Sequence, residues 1–313
     1  MKKHLLATGL LTLMTTTAMA EGIGVSMALF DDNFLTVLRN GIEEQAEARG
    51  LSVQIEDARN DVARQLDQIN NFIAQGVTAI IVNPVDTSAT QAMSDVAAAA
   101  GVPLVYVNRQ PVNIDSLPDN QAFVASNETE SSSQGVREMC RIWAEAGETA
   151  VDVYVIQGEL SNQAAVQRTQ NIYDVIAAGE CGVTINVIDQ QTANWSRDQA
   201  NSLMTNWLSV GTEFDGVISN NDEMAIGAIQ AMKAAGIAMD SVLVSGVDAT
   251  QDALAAMQAG DLDITVFQNA AAQGGGALDA AVRLAAGEAV DQKVFVPFEL
   301  VTPANMADYL AKN

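Results

Sequence analysis

The residues with most chemistry to offer lie in short polar runs, each behind an apolar one. The first is Phe30-Asp31-Asp32-Asn33-Phe34-Leu35, which follows Ile23-Gly24-Val25-Ser26-Met27-Ala28-Leu29. It sets two carboxylates and two phenylalanines where a buried strand ends and an amphipathic helix begins, with Leu35, Leu38, Ile42 and Ala46 at helical spacing. A carboxylate accepts hydrogen bonds from hydroxyl groups, and an aromatic face packs on a C–H surface; sugars and cyclitols present both. The same position recurs. Asn83 follows Ala79-Ile80-Ile81-Val82, Asn108-Arg109 follows Val105-Tyr106-Val107, and Asn221-Asp222-Glu223 comes just after Val217-Ile218. Asp248 follows Val244-Ser245-Gly246-Val247, and Gln268 follows Ile264-Thr265-Val266-Phe267. Each alone is better explained by a helix cap, and Asp32 with Phe34 by a cap beside a core residue. Repetition at one topological position, in both halves of the chain, favours a shared cleft, because open parallel α/β sheets bind ligands beyond the carboxyl ends of their strands. Arg168, early in a helical pattern, supplies a fixed cation that can offset buried carboxylates such as Asp32 and Asp248. Trp195, in Gln191-Thr192-Ala193-Asn194-Trp195-Ser196, is either a stacking platform or a core plug. Trp143 and Trp207 fall inside helical patterns and read as packing.

The elements that must position these residues alternate strand with helix. Strands are expected at 22–28, 51–57, 77–82, 102–107, 122–125, 150–156, 183–188, 214–218, 241–246, 262–267 and 293–297. Near-continuous apolar runs such as Val153-Tyr154-Val155-Ile156 suit parallel strands covered on both faces. The fold class is α/β, with right-handed βα units. So many strands suit two doubly wound parallel-sheet lobes with a ligand cleft between them better than one open sheet, and an eight-fold barrel would need more regular repeats. Gly274-Gly275-Gly276 has no strand immediately before it and reads as close helix packing, and Gly22-Ile23-Gly24 lacks the third glycine of a dinucleotide loop.

Composition excludes several classes of function. Of 313 residues, 15 are Lys or Arg and 39 are Asp or Glu, a net charge of -24. A field of that sign repels nucleic acid and anionic lipid, so no nucleic-acid partner is expected. Met1-Lys2-Lys3-His4, an apolar run from Leu5 to Met14 and Ala18-Met19-Ala20 read as a signal peptide cleaved after Ala20, hence an exported protein. The sole histidine, His4, lies in that peptide, which removes Ser-His-Asp catalysis, His-ligated zinc and histidine acid–base chemistry from the mature chain. No cofactor, metal or enzymatic activity is expected. Cys140 and Cys181, the only two cysteines, are expected to pair in an oxidising compartment.

Four runs carry a resemblance: Phe30-Asp31-Asp32-Asn33-Phe34, Thr192-Ala193-Asn194-Trp195, Asn220-Asn221-Asp222-Glu223-Met224-Ala225 and Gly246-Val247-Asp248-Ala249, with Val107-Asn108-Arg109-Gln110 a looser match. They resemble the periplasmic sugar-binding proteins of ABC importers, of the ribose and galactose/glucose type, over essentially all of the mature chain. The resemblance implies two lobes joined by three crossovers, here residues 21–125 plus 269–297 and residues 126–268 plus 298–313. It implies that Asp32, Asn108, Arg109, Arg168, Asn221, Asp248 and Gln268 hydrogen-bond a pyranose-sized ligand, joined by Asn83, and that Phe34 and Trp195 sandwich its ring. It further implies a periplasmic protein, expected as a monomer, that hands a small polyol to a membrane ABC permease. Two departures matter. Asn162 and Ala164 stand where hexose-binding members have a His and an Asp, and Ala146-Gly147-Glu148-Thr149-Ala150 is too short for their calcium loop. The wording is closest to binding proteins for myo-inositol and rhizopine, so a cyclitol is expected ahead of a hexose. The alternatives are a galactose/glucose- or ribose-type binder, a sugar receptor for chemotaxis or signalling, and a carboxylate-dependent carbohydrate enzyme.

Overall fold

The computed structural model describes residues 22–312, so the expected signal peptide and its cleavage point lie outside the described residues. The first sheet is built from β1 (Ile23–Met27), β2 (Val53–Asp57), β3 (Ala79–Val82), β4 (Leu104–Val107) and β5 (Gln121–Ala125), with β11 (Lys293–Phe295) at its edge. Its order is β11-β5-β4-β3-β1-β2, and every pairing is parallel. The second sheet has the order β7-β6-β8-β9, from β6 (Ala150–Gln157), β7 (Thr184–Thr192), β8 (Gly216–Ser219) and β9 (Leu243–Ser245), again parallel. Single bridges, Ser245 with Ile264 and Asp248 with Phe267, extend it to β10 (Thr265–Gln268), which pairs antiparallel with β12 (Phe298–Val301).

Helices cover both faces of each sheet, as the continuous apolar strands require. In the first lobe α1 (Asn33–Ala48) and α9 (Ala270–Ala285) pack on one face, α2 (Val62–Gln75) and α3 (Thr90–Ala100) on the other. In the second, α4 (Ser131–Ala146) and α5 (Gln163–Ala178) face α6 (Arg197–Val210), α7 (Asp222–Ala234) and α8 (Gln251–Gln258) across the sheet. No apolar cluster among the described residues mixes the two sheets, so each lobe carries its own core. The triple glycine does serve helix packing: a Cβ on Gly274 would collide with the Leu38 carbonyl oxygen, so α1 and α9 are in backbone contact there.

The chain crosses between sheets three times: after β5 through Ser126-Asn127-Glu128, after β10 at Asn269, and between β11 and β12 at Val296-Pro297. The expected strand at 293–297 stops at Phe295, and β12 was not expected from the sequence. Val296 still donates to the Ala125 carbonyl at 2.8 Å, but Pro297 has no N–H, so the ladder ends and the chain changes sheets. Cys140, on α4, is bonded to Cys181 in the turn ahead of β7, so the disulfide lies wholly on second-sheet elements.

Candidate functional site

The carboxyl ends of both sheets face one cleft. From the first lobe, Asp32, Phe34 and Leu35 enter it at the start of α1, and Asn108 and Arg109 after β4. From the second, Asn162, Ala164 and Arg168 enter at and near the start of α5, Trp195 after β7, Asn221 after β8, Asp248 after β9, and Gln268 at the end of β10. The structure thus brings nine of the expected site residues together around one cavity. Asn83 is the exception. It is fully buried behind the wall, where its amide donates to the Val107 carbonyl at 3.2 Å and to Asn108 Oδ1 at 3.4 Å. It supports Asn108 and does not itself reach the cavity.

Cap and ligand roles turn out not to compete. Asp32 Oδ1 accepts from the Leu35 amide at 2.7 Å, and Asn221 and Asn162 cap α7 and α5 through their Oδ1 atoms at 3.1 Å each. One acceptor atom serves the helix, while a carboxylate has a second oxygen and an amide its NH2. The cavity wall also holds non-glycine residues in the left-handed region, with φ of 66° at Asn108, 62° at Trp195 and 123° at Asp248. Such conformations persist only where surroundings over-determine them, and they concentrate at binding sites. Asp222 provides one such brace: its carboxylate accepts from the Thr250 amide at 3.0 Å and from Thr265 Oγ1 at 2.7 Å, fixing the turn that presents Asp248.

Arg168 is the electrostatic centre. Its Nε and Nη2 form a bidentate pair with Glu128 at 2.8 Å each, Nη1 donates to the Asn220 carbonyl at 2.9 Å, and Nη2 to Gln268 Oε1 at 3.0 Å. Asp248 Oδ1 lies 3.7 Å from Nη1. Burial works against the Arg168 charge, and the carboxylates of Glu128, Asp248 and Asp222 together more than offset this, so its pKa lies above the usual arginine value. Burial pushes the Asp248 carboxyl well above the ordinary range; Arg168 pulls it down and Asp222 adds to the rise. Burial also raises Asp32, against the Leu35 amide bond and the charge of Arg109. Both acids are therefore poised to gain when ligand hydroxyls replace lost solvation.

Sequence reasoning missed Leu35 and Glu128. Leu35 matches the core-facing spacing of α1. Glu128 follows β5, so the strand-end rule, applied to that strand as to the others, would have found it.

Trp195 is half-buried, with its ring centroid 5.7 Å from the Arg168 guanidinium carbon, and a Cβ on Gly158 would run into its indole. Trp207 is buried instead against Tyr154, with centroids 4.4 Å apart, and its Nε1 donates to Asp189 at 2.7 Å. Trp195→Ala should therefore cost more than about 1 kcal/mol of ligand affinity with the melting temperature kept. Trp207→Ala should act on stability. Titration calorimetry and thermal melts on the pair check both, and equal affinities for wild type and Trp195→Ala would remove Trp195 from the site.

Known proteins share this fold. The profile of the periplasmic binding protein domain matches residues 23–289. A provisionally named rhizopine-binding protein of Rhizobium meliloti is 59% identical, with 100% of both chains covered. The crystal structure of an ABC transporter solute-binding protein from Bacillus halodurans with bound myo-inositol superposes with a TM-score of 0.87 at 38% identity, covering 96% of this chain and 100% of that one. The myo-inositol-binding protein of Caulobacter, also bound to myo-inositol, gives 0.81 at 28%, covering 94% and 98%. With two parallel-sheet lobes, three crossovers and a polar cleft at the strand ends, this chain belongs to the periplasmic binding protein family.

Proposed function

We propose that this protein captures a cyclitol, myo-inositol or a close relative, for an ABC importer. The observation that carries this reading is the cavity wall itself. Asp32, Asn108 and Arg109 on one lobe face Arg168, Asn221, Asp248 and Gln268 on the other, with Phe34 and Trp195 beside them. Those groups donate and accept around a whole ring of hydroxyls, and two aromatic faces suit its C–H surfaces. Relatives with myo-inositol bound support the choice of ring. The lobes, taken as 21–125 plus 269–297 and 126–268 plus 298–313, close over the ligand, and sheet membership of β11 and β12 supports that division. They already touch: Thr87 N and Oγ1 donate to the Ser161 carbonyl at 3.1 and 3.0 Å, and Asn33 Nδ2 to Glu223 Oε1 at 2.8 Å. A ligand that contacts both lobes at once binds the closed form better and so shifts the equilibrium toward it. The closed monomer then delivers its cargo to a membrane permease.

A thermal-shift screen of ligand-stripped protein against cyclitols and monosaccharides tests the reading, since a ligand that binds only the folded state raises the melting temperature. No shift with any polyol would sink it. Export should leave Glu21 as the first residue, read by intact mass of protein from the native periplasm. A retained Met1 there would contradict cleavage.

A further inference from the structure

Among the described residues, the crossover Ser126-Asn127-Glu128 is gripped at both ends by side chains that lead to the cavity. On the first lobe Asn108 Nδ2 donates to Gln273 Oε1 at 3.3 Å, and Gln273 Nε2 donates to Ser126 Oγ at 3.0 Å. On the second lobe Arg168 pairs with Glu128 through two bonds of 2.8 Å, and Asn171 Nδ2 holds the Glu128 carbonyl at 2.6 Å. Gln273, Ser126, Glu128 and Arg168 are all buried. Asn127 is left as the one residue of this crossover between two pinned neighbours. Arg168 also reaches the other crossovers, through Gln268 at the end of β10 and through the Phe298 ring, 5.9 Å from its guanidinium carbon, at the start of β12.

The donor count of Arg168 sharpens the point. A guanidinium has five N–H groups. The bonds to Glu128, Gln268 and Asn220 use four of them, and the remaining one, on Nη1, is on the side of Asp248 and the cavity. Most of the hydrogen bonding of this cavity residue is therefore committed to the hinge and its surroundings.

We propose that Glu128 and Gln273 are positioning residues for capture: neither lines the cavity, and together they tie the ligand-facing Arg168 and Asn108 to the hinge, so that ligand contact and lobe angle are coupled. Cutting either tie uncouples the cavity residue on that side from the crossover and loosens that end of it. The ligand-free protein then samples wider lobe angles, and binding has to pay for restoring the closed one. This rests on the proposed cyclitol site only for its affinity readout; the lobe angle of the free protein is read without any ligand.

The test is double electron–electron resonance on full-length mature protein with one spin label on the exposed surface of each lobe, paired with calorimetry using myo-inositol. Wild type is compared with Glu128→Gln, which keeps the shape and removes the charge, and with Gln273→Met, which cuts the first-lobe tie without touching a buried ion pair. Both variants should show longer and broader distances when free, the wild-type distance at saturation, and affinity for myo-inositol reduced at least tenfold. Glu128→Asp should recover part of the loss. Unchanged free-state distances in Gln273→Met overturn the proposal, even if Glu128→Gln fails to fold. So does weakened binding with unchanged free-state distances in both variants, which would mean that these residues merely orient Arg168 and Asn108. If wild type ignores myo-inositol, the cyclitol reading fails, and the free-state distances still decide the hinge.

Discussion

Replacing Asp248 with alanine should weaken polyol binding by about 2–5 kcal/mol, the order expected for removing one partner from a buried charge pair. In affinity this is from roughly thirtyfold to several thousandfold. Asp248 is buried, its backbone is held left-handed by the Asp222 brace, and it faces Arg168 at 3.7 Å. Ligand hydroxyls that lose it find no other carboxylate on the second-lobe side of the cavity, and Arg168 gains an uncompensated share of charge toward a neutral ring. The fold should survive, because Arg168 keeps its bidentate partner Glu128. Asp32→Ala should cost less, about 1.5–3 kcal/mol for a charged hydrogen bond, because the nearby Arg109 donates to the Pro84 and Val85 carbonyls and acts on Asp32 only through its charge. It would also lose the α1 cap, worth about 1 kcal/mol of stability. Calorimetric titration with melts alongside separates the two effects. Affinity within threefold of wild type for both variants would place the ligand elsewhere.

Reducing the disulfide should lower stability by about 4 kcal/mol in the chain-entropy model, for a sequence separation of 41 residues. Cys140 and Cys181 both belong to second-sheet elements, so lobe closure leaves the bond unchanged and ligand affinity below the transition should not move. Denaturant unfolding of oxidised protein against the Cys140→Ser, Cys181→Ser double variant measures the difference. Free-thiol labelling of denatured, unreduced protein should find none; two labelled thiols per chain would contradict the bridge.

The central strand positions were legible because β1, β3, β4, β5 and β8 are fully buried, mostly apolar runs that end at or shortly before a polar residue. The same ends carry the site, so one pattern gave both. It failed where local sequence and tertiary role part. Asn83 obeys the strand-end rule, yet its side chain is buried between its neighbours and its amide is spent on Val107 and Asn108. Leu35 looks like core because a helix start beside a cleft exposes its inner face to ligand as readily as to neighbours. β12 escaped because Pro297 separates two short strands that share no sheet. Nothing local marks Glu128 as Arg168's partner, 40 residues away in sequence. That pairing depends on the crossover passing beneath α5.

The proposed ligand is a ring with a hydroxyl on every carbon. Ala164 lines the cavity where hexose-binding relatives of the resemblance carry an Asp, and Asn162 beside it has its Oδ1 engaged with the Ala164 amide. A hexose therefore loses one charged acceptor, worth about 1–3 kcal/mol, or roughly ten- to a hundredfold in affinity. Ligand-stripped protein titrated calorimetrically with myo-inositol, D-galactose and D-glucose should bind myo-inositol more tightly than either hexose by that factor. Tighter binding of either hexose would contradict the cyclitol assignment.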